Sequence, residues 1–187
     1  WRNDNFIQLE APASTDSFSN SIFISNGDVY ICGFIDYITG AGYDKRACYW
    51  KNGELTILSL SISDAKKIYV LDNDVYIFGY IGTGCIDERP CYWKNDNLEY
   101  LPVPSGTTFA TAFSLYYDSV DLYICGFYDN GNQHSCYWKN GERTDINISA
   151  TDSRAYGINI NGSDIHVYYI LGTSLHTLEN ACHPYRI

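Results

Sequence analysis

The sequence predicts an all-β chain of four repeated, four-stranded units, and three recurrences predict it. The first is a phrase around tryptophan. It reads Ala47-Cys48-Tyr49-Trp50-Lys51-Asn52-Gly53, then Pro90-Cys91-Tyr92-Trp93-Lys94-Asn95-Asp96, then Ser135-Cys136-Tyr137-Trp138-Lys139-Asn140-Gly141, with Trp spacings of 43 and 45 residues. The second is an upstream phrase, Asp28-Val29-Tyr30-Ile31-Cys32-Gly33-Phe34, repeated from Asp74 and Asp121 and more weakly from Asp164, at spacings of 46, 47 and 43. The third is a pair of positions before each Asp. Six residues before it stands Ile22, Ile68, Leu115 or Ile158, and nine before it Ser19, Ala65, Ala112 or Ala155. Periods of this length with short β-rich phrases are the mark of a repeat architecture.

Within a unit the elements follow in order. Strand one lies near Ser21 to Ser25. Asn26-Gly27 tolerates positive φ and turns the chain. Strand two, Val29 to Phe34, is β-branched and aromatic. A variable, Gly-bearing loop follows, Ile35 to Arg46 in the first unit. Strand three is Cys48 to Lys51, and Asn52-Gly53 is a strong hairpin signal. Strand four is Glu54 to Leu58. No window of about 11 residues carries a helical period. Four strands in about 45 residues is the pattern of a β-propeller blade. The predicted fold is a single repeat domain, 1–187: blade one 11–60, blade two 61–103, blade three 104–148, and blade four 149–187 plus the strand 1–10.

The two ends carry pieces of one unit. Trp1-Arg2-Asn3-Asp4-Asn5 matches Trp93-Lys94-Asn95-Asp96-Asn97, so the chain opens on a strand-three turn and a strand four. Ala181-Cys182-His183-Pro184 aligns with Ala47-Cys48-Tyr49-Trp50, so the last unit reaches strand three. The expected outcome is that strand 1–10 completes the last of four blades, which hides two sheet edges. Three arrangements satisfy this pattern. The strand closes its own ring, it is donated to a neighbouring copy in a head-to-tail assembly, or the residues belong to a longer parent with more blades.

Composition narrows the partners. Twenty-two acidic residues against 12 basic ones give a net charge of -10. That argues against a nucleic-acid binder, which needs a basic face, and against docking on an anionic membrane surface. No apolar run reaches the roughly 20 residues of a spanning helix. The chain has no Met, which reads as a mature or truncated product.

The phrases DVYICGF and ACYWKNGEL resemble a repeat of bacterial, mostly Bacteroidota, secreted or surface-anchored proteins. The resemblance covers nearly the whole chain. It implies a propeller-like fold and an extracellular or cell-surface location, and it carries no catalytic motif. The four-unit count and the Trp-bearing strand are also similar, more weakly, to hemopexin-like domains. The Asp-Ala opening of those blades is missing here, and Pro184 stands where the last Trp would.

Seven cysteines fall two to a complete unit: Cys32 and Cys48, Cys85 and Cys91, Cys125 and Cys136, with Cys182 left over. In the second unit Phe78 replaces the strand-two cysteine and Cys85 restores the number. Even pairing predicts disulfides within blades and an oxidising compartment, with Cys182 unpaired. Asn147-Ile148-Ser149 and Asn161-Gly162-Ser163 are glycosylation sequons, Asn161 also fitting a turn.

Chemistry-bearing patterns are sparse. The histidines His134, His166, His176 and His183 lack partners at zinc spacing, and no metal or cofactor is expected. The four Asp residues that open strand two could ring a cation; local backbone hydrogen bonding from turns explains them better. There is no nucleophile elbow, phosphate loop or dinucleotide fingerprint. Paired carboxylates of a propeller glycoside hydrolase stay open as an alternative. The recurring Tyr30, Tyr76, Tyr123 and Tyr49, Tyr92, Tyr137 read as packing between blades. The loops after strand two differ in every unit and should emerge on one side. Tyr37, Tyr43, Lys45, Arg46, Arg89, Tyr128 and His134 are therefore the candidate binding residues. The expected function is non-enzymatic: a scaffold binding a glycan or protein, or alternatively a subunit that self-associates through its terminal strand.

Overall fold

The computed structural model describes residues 8–13, 15–39, 42–82, 88–146 and 152–172, without side-chain detail at 38, 39, 42 and 43. Among these residues every regular element is a strand. They are β1 (Asp16–Ser25), β2 (Asp28–Thr39), β3 (Gly42–Lys51), β4 (Glu54–Ile57), β5 (Ile62–Leu71), β6 (Asp74–Gly82), β7 (Arg89–Lys94), β8 (Asn97–Tyr100), β9 (Phe109–Tyr117), β10 (Leu122–Asp129), β11 (Gln133–Lys139), β12 (Glu142–Asp145), β13 (Ser153–Asn161) and β14 (Asp164–Leu171). Three sheets have four strands each in sequence order, β1 to β4, β5 to β8 and β9 to β12; β13 and β14 form a fourth sheet. Every pair with a resolved register is antiparallel. No helix among the described residues is long and apolar enough to cross a membrane.

The turns form as the sequence expects. Asn26, Asn52 and Asn140 take φ of 51°, 54° and 50°, each followed by a Gly at positive φ. That is the backbone of a two-residue hairpin whose twist matches its strands. Asp72-Asn73 and Asn95-Asp96 do the same without Gly, because Asn and Asp tolerate the left-handed region. The variable loops are shorter than expected. Residues 35–46 extend β2 and β3 as a paired ladder out to Thr39↔Gly42.

One irregularity recurs and explains a glycine. In β1 the pairing skips from Ser19↔Gly33 to Ser21↔Cys32, leaving Asn20 as a bulge. The same skip leaves out Phe113 in β9 and Tyr156 in β13. Opposite it the backbones close so far that a Cβ on Gly33 would lie 1.8 Å from the Phe18 carbonyl oxygen. A Cβ on Gly79 would lie 1.8 Å from that of Asp64, and on Gly126 2.0 Å from that of Thr111. Only glycine fits there.

The contacts divide the chain into two compact units, Trp1–Ile81 with Tyr92–Glu99, and Gly82–Cys91 with Tyr100–Ile187. In the first, the first sheet packs on β5. In the second, the third sheet packs on β13, burying Tyr123, Cys125, Ala155 and Ile158 together. Two tryptophans fasten the segments that lead into β1 and β9. Trp50 Nε1 donates to the Glu10 carbonyl at 2.6 Å, and Trp138 Nε1 donates to the Pro102 carbonyl at 2.8 Å. The buried Trp93 nitrogen has no partner among the described residues.

The expected disulfides are corrected. Cys32 is the register partner of Tyr49 while Cys48 is the partner of Gly33, so the two sulfurs lie on opposite faces of one sheet. Cys125 opposite Tyr137 and Cys136 opposite Gly126 repeat this. Side chains alternate faces along a strand, so no rotamer joins them. Cys32, Cys48, Cys91, Cys125 and Cys136 are buried thiols. Two of them contact the neighbouring sheet: Cys32 Sγ lies 3.6 Å from the Ala65 carbonyl oxygen and Cys125 Sγ 3.8 Å from that of Ala155. Cys85, Cys182 and Asn147 lie outside the described residues, and Asn161 ends β13, just before the turn into β14.

Candidate binding surface

Each complete repeat has a constant end and a varied end. At the constant end, Asp28 meets the turn after strand three. Asn52 Nδ2 donates to Asp28 Oδ1 at 2.8 Å, Asn52 Oδ1 accepts the Val29 amide at 2.9 Å, and Lys51 Nζ pairs with Asp28 Oδ2 at 3.0 Å. The Lys51 ammonium also lies 5.3 Å from the Tyr30 ring centre. Asp74, Asn95, Lys94 and Tyr76 repeat the arrangement, as do Asp121, Asn140, Lys139 and Tyr123. The carboxyls of Asp28, Asp74 and Asp121 are held below their ordinary value, by Asn52 for the first and by Lys94 and Lys139 for the others. This clasp accounts for the DVY and WKN phrases together. It corrects the expectation that these Asp residues serve their own turns: the asparagine caps the backbone and the Asp holds the asparagine and the lysine.

At the other end of strand two the residues differ in every repeat. In the first unit, Phe18 stacks on Phe34 with ring centres 4.8 Å apart, and the Lys45 ammonium sits 4.5 Å from the Phe34 ring. Asp16 and Asp36 face one another across β1 and β2. Burial raises the Asp36 carboxyl above its ordinary range, and Lys45 opposes that shift. Asp64 is 1% exposed, and receives Asn20 Nδ2 at 2.8 Å and Lys66 Nζ at 2.5 Å. Lys66 lies over the Tyr80 ring. In the second unit, Phe113 stacks on Tyr156 at 4.5 Å, Arg154 lies 5.2 Å from the Phe127 ring, and Arg154 Nε donates to Gln133 Oε1 at 2.5 Å.

The expected binding residues divide on these surfaces. Arg46 lies over the Tyr37 ring at 4.2 Å, on the sheet face that carries Ile35 and Cys48, and its buried Nε has no partner among the described residues. Lys45 is on the opposite face, the register partner of Asp36. Tyr43 has no described side chain. Arg89 is exposed and borders a cavity of about 450 Å³ with Tyr100, Pro104 and Thr107. Tyr128 is 6% exposed, sandwiched by His134 at 5.0 Å and Arg143 at 5.2 Å. Its hydroxyl proton is held more tightly than usual by burial. Tyr128 is thus a packing residue, and His134, bonded to Asn130 Oδ1 at 3.1 Å, covers it.

Sequence reading missed the bulge residues Asn20, Phe113 and Tyr156, and Lys66 at the same place in the second repeat. All four follow the small residue nine before the repeat Asp, so their dissimilarity beside an unvarying neighbour was the available signal. No protein-family model matches the chain, and no curated protein is similar to it.

Proposed function

We propose that the chain is a four-bladed β-propeller acting as a non-enzymatic, extracellular binding scaffold, with a glycan or protein ligand on the varied end of its blades. The observation that carries this reading is the contrast between the two ends. One end repeats the same four-residue clasp three times, as packing alone demands. The other holds Asn20, Lys66, Phe113 and Tyr156 at one equivalent position, a variety that packing does not require. Cations beside aromatic rings, as at Lys45 and Phe34 or Arg154 and Phe127, suit the apolar face and charged substituents of a sugar. Repeated packing of one unit on the next supports the propeller: Ile68 and Ile158, at equivalent positions in β5 and β13, are 1% and 6% exposed where those strands pack on the sheet before them. The extracellular placement rests on the sequence resemblance, because the cysteines no longer argue for it.

Binding to an array of plant, host and microbial polysaccharides tests the reading. Phe34→Ala, Lys45→Ala and Phe113→Ala should each weaken a detected interaction tenfold or more, and Glu142→Gln at the constant end should leave it unchanged. Equal affinity in all four variants sinks it.

A second reading, assembly by strand donation, is favoured by β14. Among the described residues it pairs with β13 only and is exposed along most of its length, with Tyr168 at 68% and Ile170 at 62%.

A further inference from the structure

We infer that the cavity bordered by Arg89 and Tyr100 is a glycan subsite for a sugar bearing a single carboxylate, a uronic acid residue. The inference rests on the binding-scaffold reading. It names the ligand class and one place on the varied end where part of the ligand sits.

The cavity measures about 450 Å³, within the roughly 300–1,000 Å³ of sites that enclose small molecules. Its walls all belong to the second compact unit. It lies at the varied end. Arg89 opens β7, whose last residue, Lys94, holds the clasp at the constant end. Tyr100 closes β8, and residues 101–108 carry the chain along the cavity toward β9.

Arg89 is available where its counterparts are not. It stands directly before Pro90-Cys91-Tyr92-Trp93, as Arg46 and His134 stand before their copies of that phrase. Arg46 lies over the Tyr37 ring, and His134 stacks on Tyr128. Residues 82–88, which lead to Arg89, include no aromatic. Among the described residues no ring or carboxylate engages its exposed guanidinium. Such a group pairs with a carboxylate through two parallel N–H donors. The corresponding hollow ahead of β1 differs in charge. It holds Glu10 where Pro102 stands, each backbone carbonyl accepting a repeat tryptophan. The Glu10 carboxylate accepts the Leu55 amide at 3.2 Å, and it repels an anion there.

The other walls fit a sugar. Tyr100 is 54% exposed and offers its ring to the apolar face of a pyranose. Thr107 and Thr108 donate their hydroxyl protons to the Pro104 and Asp129 carbonyls at 2.8 and 3.2 Å. Their oxygens remain to accept from sugar hydroxyls. Gly106, at φ 84°, turns the chain between Pro104 and Thr107, and the Ser105 and Gly106 amides donate to no described residue. Glu88 also lines the cavity, and its charge disfavours a ligand with a second anionic group. The net charge of -10 repels a dense polyanion at range. An extended peptide fits less well, because Pro102 and Pro104 have no amide to pair with an added strand. A lone carboxylate among neutral sugar rings meets all of these conditions.

The test is calorimetry on the full chain with a panel of oligosaccharides. Each carries one glucuronic or galacturonic acid unit and is measured beside its carboxyl-reduced, neutral counterpart. At least one acidic member should bind, roughly tenfold or more tighter than its neutral form. Arg89→Gln should abolish that preference, and Tyr100→Ala should weaken both forms by roughly tenfold. Glu142→Gln, at the constant end, should change neither. The Trp138 indole N–H, bonded to the Pro102 carbonyl in the cavity wall, should shift its NMR resonance on titration. Equal affinity for acidic and neutral forms, or an acidic preference that survives Arg89→Gln, overturns the inference. Tighter binding of a heparin fragment or an acidic peptide overturns the ligand class. Glycan binding lost in Phe34→Ala or Phe113→Ala but intact in Arg89→Gln and Tyr100→Ala overturns the subsite and leaves the scaffold reading standing. No binding by any panel member overturns the subsite, and silence across the wider polysaccharide array counts against the scaffold reading as well.

Discussion

The Ser63 hydroxyl accepts the Ala47 amide at 2.9 Å, tying the first strand of the second sheet to the third strand of the first. The Ser153 hydroxyl accepts the Ser135 amide at 3.0 Å in the same way. At the equivalent positions between these two pairs stand Ala110 and Pro90. Proline has no amide to give and alanine no oxygen to take it, so both halves of the bond are absent together. The repeat therefore varies in matched pairs, and each variation can be tested.

Ser63→Ala should leave the buried Ala47 amide without an acceptor and destabilise the protein by about 1–3 kcal/mol. Ser153→Ala should do the same at Ser135. Ala110→Ser should gain nothing, because Pro90 offers no donor. Combined with Pro90→Ala it should recover stability relative to the sum of the single changes. Urea midpoints of the five variants decide this.

Gly79→Ala and Gly126→Ala drive a methyl group into a carbonyl oxygen of the neighbouring strand. Each should cost more than about 3 kcal/mol or prevent folding. Gly131→Ala meets open space at a φ of 111° and should cost only about 1 kcal/mol. Denaturation curves followed by tryptophan fluorescence separate the two classes.

The cysteines should behave as buried thiols. Burial pushes Cys48 up to about 12 and raises Cys32, Cys91 and Cys136 as well, so almost no thiolate is present at pH 8. Iodoacetamide on the native protein should leave these four unlabelled by peptide mapping. Reductant should leave the melting temperature unchanged. A drop on reduction would restore the disulfide reading.

The clasps set a pH window. Asp28, Asp74 and Asp121 lie below their ordinary 3.8, so the stability they give is complete above that value and is lost as pH falls through their lower native values. Lys51, Lys94 and Lys139 lie above 10.5, so their share is complete below it and is lost as pH rises through their higher native values. Asp121→Asn should flatten the fall of the urea midpoint at the acid end. Added salt should shrink the wild-type difference, because the clasps face solvent.

Much of the fold was legible because repetition supplied its own control. The phase, the Asn-Gly turns and the order of strands followed from comparing one unit with the next. Lengths were less legible: residues 35–46 read as a loop because glycines stand among them, yet cross-strand pairing continues to Thr39. The candidate binding residues were taken from the tips of the hairpins. The recurring bulge at Asn20, Phe113 and Tyr156 shows only in the strand register, and Tyr128 turned inward because its position alternates toward Trp138.

The sequence by itself determined the unit, its turns and its four copies, because these depend on local backbone preference and a period that can be counted. Only the tertiary structure decided what faces what. Cys32 and Cys48 are a plausible pair by number and an impossible one by parity, since one register step sends a side chain to the other face of the sheet. The same parity aims Cys32 at the Ala65 carbonyl, Ser63 at the Ala47 amide and Asn52 at Asp28. Those contacts join residues distant in sequence, and their geometry exists only once strands have paired and sheets have stacked.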